Sequence, residues 1–414
     1  MQMHENNITE QEALYELPEG WKWCRLGDVC ETSKEKSEIF SQETKYVGLE
    51  HIDSNGKING YGSAIEIKSL KNVFHKNQIL YGKLRPYLNK HDIADFDGVC
   101  STDILVFNAK KDCSNKYINY FFNLPYFIDF VVSNSKGINL PRVSETIVFD
   151  IPFPLPPTLA EQQRIVTRIE TMFANLDQAQ EKAQAVLDSF ETRKAAILHK
   201  AFTGELTANW RKENGVNSNI SESTFKDICT KITDGFHNSP KPVSKGYPYI
   251  MAGDIREDGI DFNNGLFMDE KNHKELYNKA HPEKGDILVV NIGAGTGKSA
   301  IIEVEFEFSF KNCAILKLNK EIVNSNYVYL FFNLKKDYIL KEITRGGAQP
   351  FLSLKMINEL SISYPPLAEQ QEIVRILDTV LEKESRAKEA AQTVLDQIAL
   401  LKKSILARAF RGEL

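Results

Sequence analysis

The sequence has no apolar run approaching the roughly 18 residues that a membrane-crossing helix requires. Its first twenty residues, MQMHENNITEQEALYELPEG, are polar and acidic, which excludes a secretory leader and makes the cytoplasm the default compartment. Cysteine is scarce and scattered. Cys24, Cys30, Cys100, Cys113, Cys229 and Cys313 form no CxxC pair and have no neighbouring HxxxH, so a zinc site of the usual spacing is not expected. Reduced core thiols are the simpler reading. Strong charge of one sign is missing too. The net charge is −5, with 26% of residues charged and 42% hydrophobic, which places the chain among soluble globular proteins. That total says nothing in favour of nucleic acid, because local patches matter more than the sum.

A nucleotide loop is also absent, although GAGTGKS at 293–299 resembles one. A Walker A loop needs four residues between its first glycine and the GK pair. Counting back from Gly297, that glycine would fall at Ile292, and starting from Gly293 leaves only three residues between. The context disagrees as well, because AIIEVEFEF after Ser299 is a strand pattern where a P-loop opens a helix. The stretch reads as a glycine-rich turn between two strands, ILVVNI and SAIIEV.

What the sequence does contain is a repeat. PPTLAEQQ at 156–163 returns as PPLAEQQ at 365–371. Aligned at Ala160 and Ala368, an offset of 208, the register holds without a gap to the chain end, and about 22 of 47 positions are identical. AFTGEL at 201–206 meets AFRGEL at 409–414. Weaker similarity extends upstream. SNKYINYFFNL (114–124) matches NSNYVYLFFNL (324–334), and Pro141 and Ser144 match Pro350 and Ser353. At 414 residues the chain exceeds one ordinary core, and the period is domain-sized, so the organisation is a duplicated variable domain followed each time by a similar helix.

Apolar positions at 165/166, 169, 172/173, 176, 183, 186/187, 190, 197/198 and 201/202 form a stripe spaced by threes and fours. No glycine or proline interrupts 160–203, and Gly204 supplies a stop. The stretch 368–411 has the same anatomy. Each would be a helix of about 65 Å, and two such amphipathic helices in one chain most simply pack on each other, antiparallel. The intervening domains read as mixed, with strand-like DILVFNA (103–109), IIEVEFEFSF (301–310) and CAILKLN (313–319), and short helices at 116–123 and 326–334. The polar stretch 207–222 reads as a linker.

Between Lys71 and Lys90 lie five basic residues (Lys71, Lys76, Lys83, Arg85, Lys90) and no acid, with Tyr81 and Tyr87 interleaved. Basic, amide and aromatic groups together suit phosphates and base edges. Taken alone, the patch is also what a solvated basic face looks like. Lys90 aligns with Lys298, so the two domains place the same loop with different residues.

The chain resembles the specificity subunits of type I restriction–modification systems. The resemblance rests on LPEGWKWCRLGDV (17–29), KLRPYLNK (83–90), DFDGVCSTD (95–103), GINLPRVS (137–144), PPTLAEQQRIV, AFTGELTANWR (201–211) and PPLAEQQEIV. The second half departs, with IGAGTGKSA and GGAQPFLS in place of the loop motifs, so its target is open while its class is not. The implied fold is α+β, with two mixed α/β target recognition domains (1–157 and 223–366), spacer helices at 158–206 and 367–414 forming an antiparallel coiled coil, and a linker at 207–222, all in a pseudo-twofold repeat. The implied function is to read a bipartite, asymmetric site in double-stranded DNA, with the coiled coil setting the half-site spacing. Two modification subunits would dock on it and methylate adenine, with or without restriction subunits, and no membrane is involved.

The resemblance implies no chemistry and no cofactor in this chain. S-adenosylmethionine and ATP belong to the partner subunits. Consistently, the sequence has no Asn/Asp-Pro-Pro-Tyr/Phe for an extruded adenine and no glycine-rich methyl-donor loop after a strand. DNA is expected to meet Lys83, Arg85, Tyr87, Asn89, Lys90 and Arg142 in the first domain, and Asn291, Thr296, Lys298, Arg345 and Gln349 in the second. The partner subunits are expected at Glu161, Gln162, Gln163, Phe202, Glu369, Gln370, Gln371 and Phe410. Two rival readings are an ATP- or GTP-using enzyme built on GAGTGKS, which nucleotide titration of the chain decides, and a coiled-coil scaffold whose domains bind protein rather than DNA.

Overall fold

The computed structural model describes residues 13–54, 56–217, 219–236, 240–256, 259–263, 265–293, 295–343 and 351–414. It divides into two compact units. One contains residues 1–185 with 391–414, and the other residues 186–390.

The first unit is organised by a four-stranded antiparallel sheet. Its strands are β1 (Cys30–Thr32), β2 (Ile79–Gly82), β3 (His91–Ile93) and β4 (Ile104–Ala109), in the order β1-β4-β2-β3. The middle strands read ILYG and ILVFNA, branched and aromatic residues that fit a buried pleat. Ile104 pairs with Gly82, and Tyr81 pairs with His91. A five-stranded sheet of short strands from residues 36–100 contains a parallel pair, Tyr46 opposite Val99. Two short helices follow β4, α1 (Asn115–Phe121) and α2 (Pro125–Ser133), then α3 (Glu145–Phe149). The unit closes on itself before its long helix begins, because 22–25 pairs with 152–155.

The second unit repeats this plan. Its sheet holds β5 (Cys229–Asp234), β6 (Ile287–Val290), β7 (Ser299–Ile301) and β8 (Cys313–Leu318) in the equivalent order β5-β8-β6-β7. Ile287 pairs with Ile301 as Ile79 pairs with Ile93, each partner 208 residues on. A parallel pair recurs between Tyr249 and Ser309, and the closing ribbon recurs between 221–224 and 361–364. The run 301–310 is not one strand. Strand structure stops at Ile301 and resumes at Ser309, with the alternating Glu303, Glu305 and Glu307 in between.

The long helices are α4 (Leu159–Phe202) and α8 (Leu367–Phe410), 44 residues each. The helices between them in the chain include α5 (Ala208–Asn214), α6 (Ser325–Tyr338) and α7 (Leu354–Glu359). Helix α4 begins on Thr158, whose hydroxyl accepts the Glu161 N–H at 3.2 Å. Both helices stop at a glycine in the left-handed region, Gly204 and Gly412, with φ of 78° and 74°. A side chain at Gly412 would also collide with the ring of Pro18.

Each unit contains an antiparallel pair made from the start of one long helix and the end of the other. In the first, Ile165, Val166 and Ile169 of α4 share a core with Leu406, Ala409 and Phe410 of α8, and Lys402 meets Asp177 at 2.5 Å. In the second, Ile373, Val374 and Leu377 of α8 share a core with Leu198 and Ala201 of α4, and Arg193 meets Glu384 at 2.8 Å. The expected linker 207–222 is more structured than its polarity suggested. It carries α5, and its end begins the closing ribbon. Among the described residues, no helix is long and apolar enough to cross a membrane.

Candidate nucleic-acid interface

The loop between β2 and β3 is held by its backbone. The Gly82 N–H donates to the Lys90 carbonyl at 2.8 Å, closing the turn. Lys83 donates its N–H to the Asp103 carbonyl at 2.9 Å and accepts the Val143 N–H at 3.0 Å. Arg85 donates to the Pro141 carbonyl at 2.7 Å. Residues 83–85 are thus stitched to two other segments, 101–103 and 136–143. Arg85 and Asn89 both adopt left-handed backbone, with φ of 54° and 43°. Asparagine adopts that conformation readily, whereas for arginine it is uncommon, and such strain gathers at functional sites.

The second unit builds the same frame. Val290 donates to the Lys298 carbonyl at 2.8 Å, as Gly82 does to Lys90. Asn291 donates to the Asn312 carbonyl at 3.1 Å and accepts from Leu352 at 2.8 Å, repeating the two bonds of Lys83. The bridge Leu84–Arg142 recurs as Ile292–Phe351. Each crossing segment then enters a helix capped by a serine, Ser144 accepting from Ile147 N–H and Ser353 from Met356 N–H. The described residues of GAGTGKS ahead of Ser299 lie between β6 and β7, with Gly293 at φ 105° and Gly297 at φ 84°, and Ser299 opens a strand rather than a helix. The backbone is therefore repeated while the side chains it presents are exchanged.

The expected DNA-facing residues fall into two groups. Arg85, Tyr87, Arg142 and Lys298 are exposed, and Lys83 is partly so. Four others, Asn89, Lys90, Asn291 and Thr296, are turned into the fold. Asn89 is buried and its amide donates to the Phe122 carbonyl at 2.9 Å. Lys90 is turned back to the Leu49 carbonyl at 2.7 Å. Asn291 and Thr296 are buried, with Thr296 Oγ1 donating to the Gly293 carbonyl at 2.7 Å. These four shape the loops rather than their outer surface. Asn and Thr mark tight turns as often as they mark base contacts, and the sequence does not separate those uses. Arg345 and Gln349 lie outside the described residues.

Most of the residues expected to meet partner subunits are packed inside their own unit. Gln162 and Gln370 are fully buried. Gln162 accepts the Ser114 N–H at 2.9 Å and donates to the Asp112 carbonyl at 3.0 Å. Gln370 accepts the Asn324 N–H at 2.8 Å and donates to the carbonyls of Ile322 at 3.0 Å and Pro365 at 2.8 Å. Each glutamine ties its long helix to the chain just before a short one, α1 or α6. Phe410 is buried against Tyr117, and Phe202 packs on Tyr327, with ring centroids 4.7 and 5.0 Å apart. Glu369 is buried, accepting from Thr207 Oγ1 at 2.6 Å and pairing with Arg211 of α5. Its counterpart Glu161 is partly exposed and pairs with Arg164 one turn along. Only Gln163 and Gln371 offer exposed side chains. The repeated motif is conserved between the halves because it locks helix to domain.

Asp103 was not singled out by sequence reading, yet it holds Arg142 through two hydrogen bonds, to Nε at 3.1 Å and Nη2 at 3.4 Å. Its carboxylate favours the charged guanidinium. The upstream alignment carried the signal, since matching Pro141 and Ser144 to Pro350 and Ser353 already sets Arg142 against Phe351.

Two copies of one frame in one chain agree with comparison to known proteins. The profile described as type I restriction modification DNA specificity domain matches residues 18–187 and again 217–394. The chain belongs to that family. Each match takes in one four-stranded sheet, its loop frame and the first part of a long helix. Over 205 residues the chain is 37% identical to the type I restriction enzyme EcoDI specificity subunit of Escherichia coli, covering 49% of this chain and 46% of that one. It is 24% identical over 327 residues to the EcoKI specificity subunit of Escherichia coli strain K12, covering 77% and 68%. The match thus spans about half the length of the first relative and two thirds of the second. The fold resembles that of the HsdS subunit from Thermoanaerobacter tengcongensis, with a TM-score of 0.66 at 21% identity over 98% of this chain and all of that one. A chain solved in work on complex assembly and conformational transition of the type I R-M system gives 0.74 at 20% identity, over 97% and 100%.

Proposed function

We propose that this chain is the sequence-reading subunit of a type I restriction–modification assembly. Its two domains each read one half of a split, asymmetric site in double-stranded DNA. The carrying observation is the repeated backbone frame with exchanged side chains, Lys83, Asp103 and Arg142 in one unit against Asn291, Asn312 and Phe351 in the other. A scaffold that bound one protein twice would keep the presented residues, whereas a reader of two different half-sites must change them.

In this reading the chain is not itself an enzyme. The long helices, which contribute to the cores of both units, set the separation of the half-sites. Two modification subunits supply adenine methylation with S-adenosylmethionine, and restriction subunits, where present, bring ATP-driven cleavage. The assembly works in the cytoplasm, where its DNA is. The acidic total of −5 is compatible with DNA binding because the exposed Arg85 and Arg142 and the partly exposed Lys83 gather on one loop frame. Methylome sequencing of a host with and without this chain, its partner subunits expressed in both, tests the proposal. Loss of one split, asymmetric adenine-methylation motif is expected. An unchanged methylome favours a protein-binding scaffold instead.

A further inference from the structure

The pair Asp103–Arg142 sits where the first frame is held most firmly. Arg142 and Lys136 exchange backbone hydrogen bonds, Arg142 N–H to the Lys136 carbonyl at 2.8 Å and the reverse at 2.9 Å. On either side, Pro141 is held by Arg85 at 2.7 Å and Val143 by Lys83 at 3.0 Å. The Cα of Arg142 is thereby fixed, while its side chain remains 46% exposed. Asp103 is fixed in turn, its carbonyl bound to Lys83 and its N–H to Ser101 Oγ at 3.2 Å.

A guanidinium has five N–H donors in one plane. Asp103 takes the Nε donor and one on Nη2, approaching along one edge. Both Nη1 donors and the second Nη2 donor remain, forming the end of the fork. That end matches the O6 and N7 acceptors of guanine in the major groove, the commonest bidentate contact arginine makes to a base. An isolated arginine would lose rotamer freedom on binding, and the carboxylate removes that cost beforehand. A surface ion pair contributes little to stability, so the fold itself gains little from this one. In the second unit Phe351 and Asn312 stand at the two positions, and neither can form the pair.

We infer that Asp103 is a positioning residue that aims Arg142 at a guanine in the half-site read by the first unit, and that the second unit reads its own half-site without this contact. The inference rests on the DNA-reading function proposed above and names one determinant within it. The test uses the assembled methyltransferase, with methylome sequencing of cells carrying the wild-type chain, Arg142→Lys or Asp103→Asn. In both variants one obligatory guanine of one half-site becomes degenerate, and every other position of the motif is retained. Binding of the purified wild-type assembly to a duplex with 7-deazaguanine at that position, which lacks the N7 acceptor, falls about ten-fold or more.

Should a variant chain fail to accumulate, the wild-type assembly on duplexes with 7-deazaguanine at each motif guanine in turn decides the matter. No loss of binding at any guanine of either half-site overturns the inference. So do variants that methylate with an unaltered motif. Both results leave the DNA-reading proposal intact, which fails only if no motif depends on the chain.

Discussion

Gln162 accepts the backbone N–H of Ser114 at 2.9 Å, with its side chain fully buried, and Gln370 does the same for Asn324 at 2.8 Å. The repeated glutamine is therefore an internal clasp. Replacing either by alanine leaves a partly buried N–H and at least one carbonyl without this partner, at a cost of about 2 kcal/mol. Urea unfolding should record that loss for Gln162→Ala and Gln370→Ala. The exposed neighbours Gln163→Ala and Gln371→Ala should stay within about 0.5 kcal/mol of wild type.

Glu369 and Glu161 occupy equivalent positions with opposite surroundings. Removing Arg211 strands the buried Glu369 carboxylate, so Arg211→Ala should destabilise the second unit by about 3 kcal/mol. Adding Glu369→Gln to that variant should restore part of the loss, since a neutral amide is less costly to bury unpaired. In the first unit, Arg164→Ala should change stability by less than about 1 kcal/mol, because its pair is solvated. Proteolysis of each variant reports which unit opens.

His91 is fully buried, with Nδ1 2.8 Å from Asn119 Oδ1, and burial pushes its imidazole from the ordinary 6.5 down to about 4. The folded state therefore resists taking the proton that the unfolded chain accepts. The neutral-state stability is complete above pH 6.5 and is lost progressively as the pH falls toward 4. Across that window the loss is about 3 kcal/mol. Chemical unfolding of wild type and His91→Phe at pH 7 and pH 4.5 checks this. The variant should lack this component of the acid sensitivity.

Arg85 and Lys298 are exposed on the two frames, whereas Asn89 and Lys90 are committed inside the first. Arg85→Glu and Lys298→Glu should each weaken DNA binding by the assembled methyltransferase and lower the slope of log affinity against log salt by about one. Asn89→Ala should instead lower stability and leave the salt slope unchanged.

Much of the fold was readable because it depends on periodicity and repetition. Two apolar stripes free of glycine and proline, 160–203 and 368–411, lie within one residue of the helices Leu159–Phe202 and Leu367–Phe410, although the spacer bounds 158–206 and 367–414 run four residues past the helix ends, and the offset of 208 recurs in the sheet register. The failures share a cause. Buried polar side chains and exposed ones use the same residue types, so Gln162, Gln370, Glu369 and Asn291 read as surface when they are internal. Repetition is ambiguous in the same way, because a motif kept in both halves fits a docking role and a shared packing solution alike, and Gln162 and Gln370 of this one serve packing. The exposure of Arg85 and Lys298 was legible because long cations almost never lie buried without a partner. The Asp103–Arg142 pair was not, since 39 residues separate its members and only the folded frame brings them together.

The most direct test of two frames reading two half-sites is methylome sequencing of cells whose chain carries Arg85→Ala in the first frame or Lys298→Ala in the second. The expected result is a motif altered or weakened in one half by the first substitution and in the other half by the second. Both substitutions acting on the same half, or neither altering a motif that is still methylated, would contradict the account.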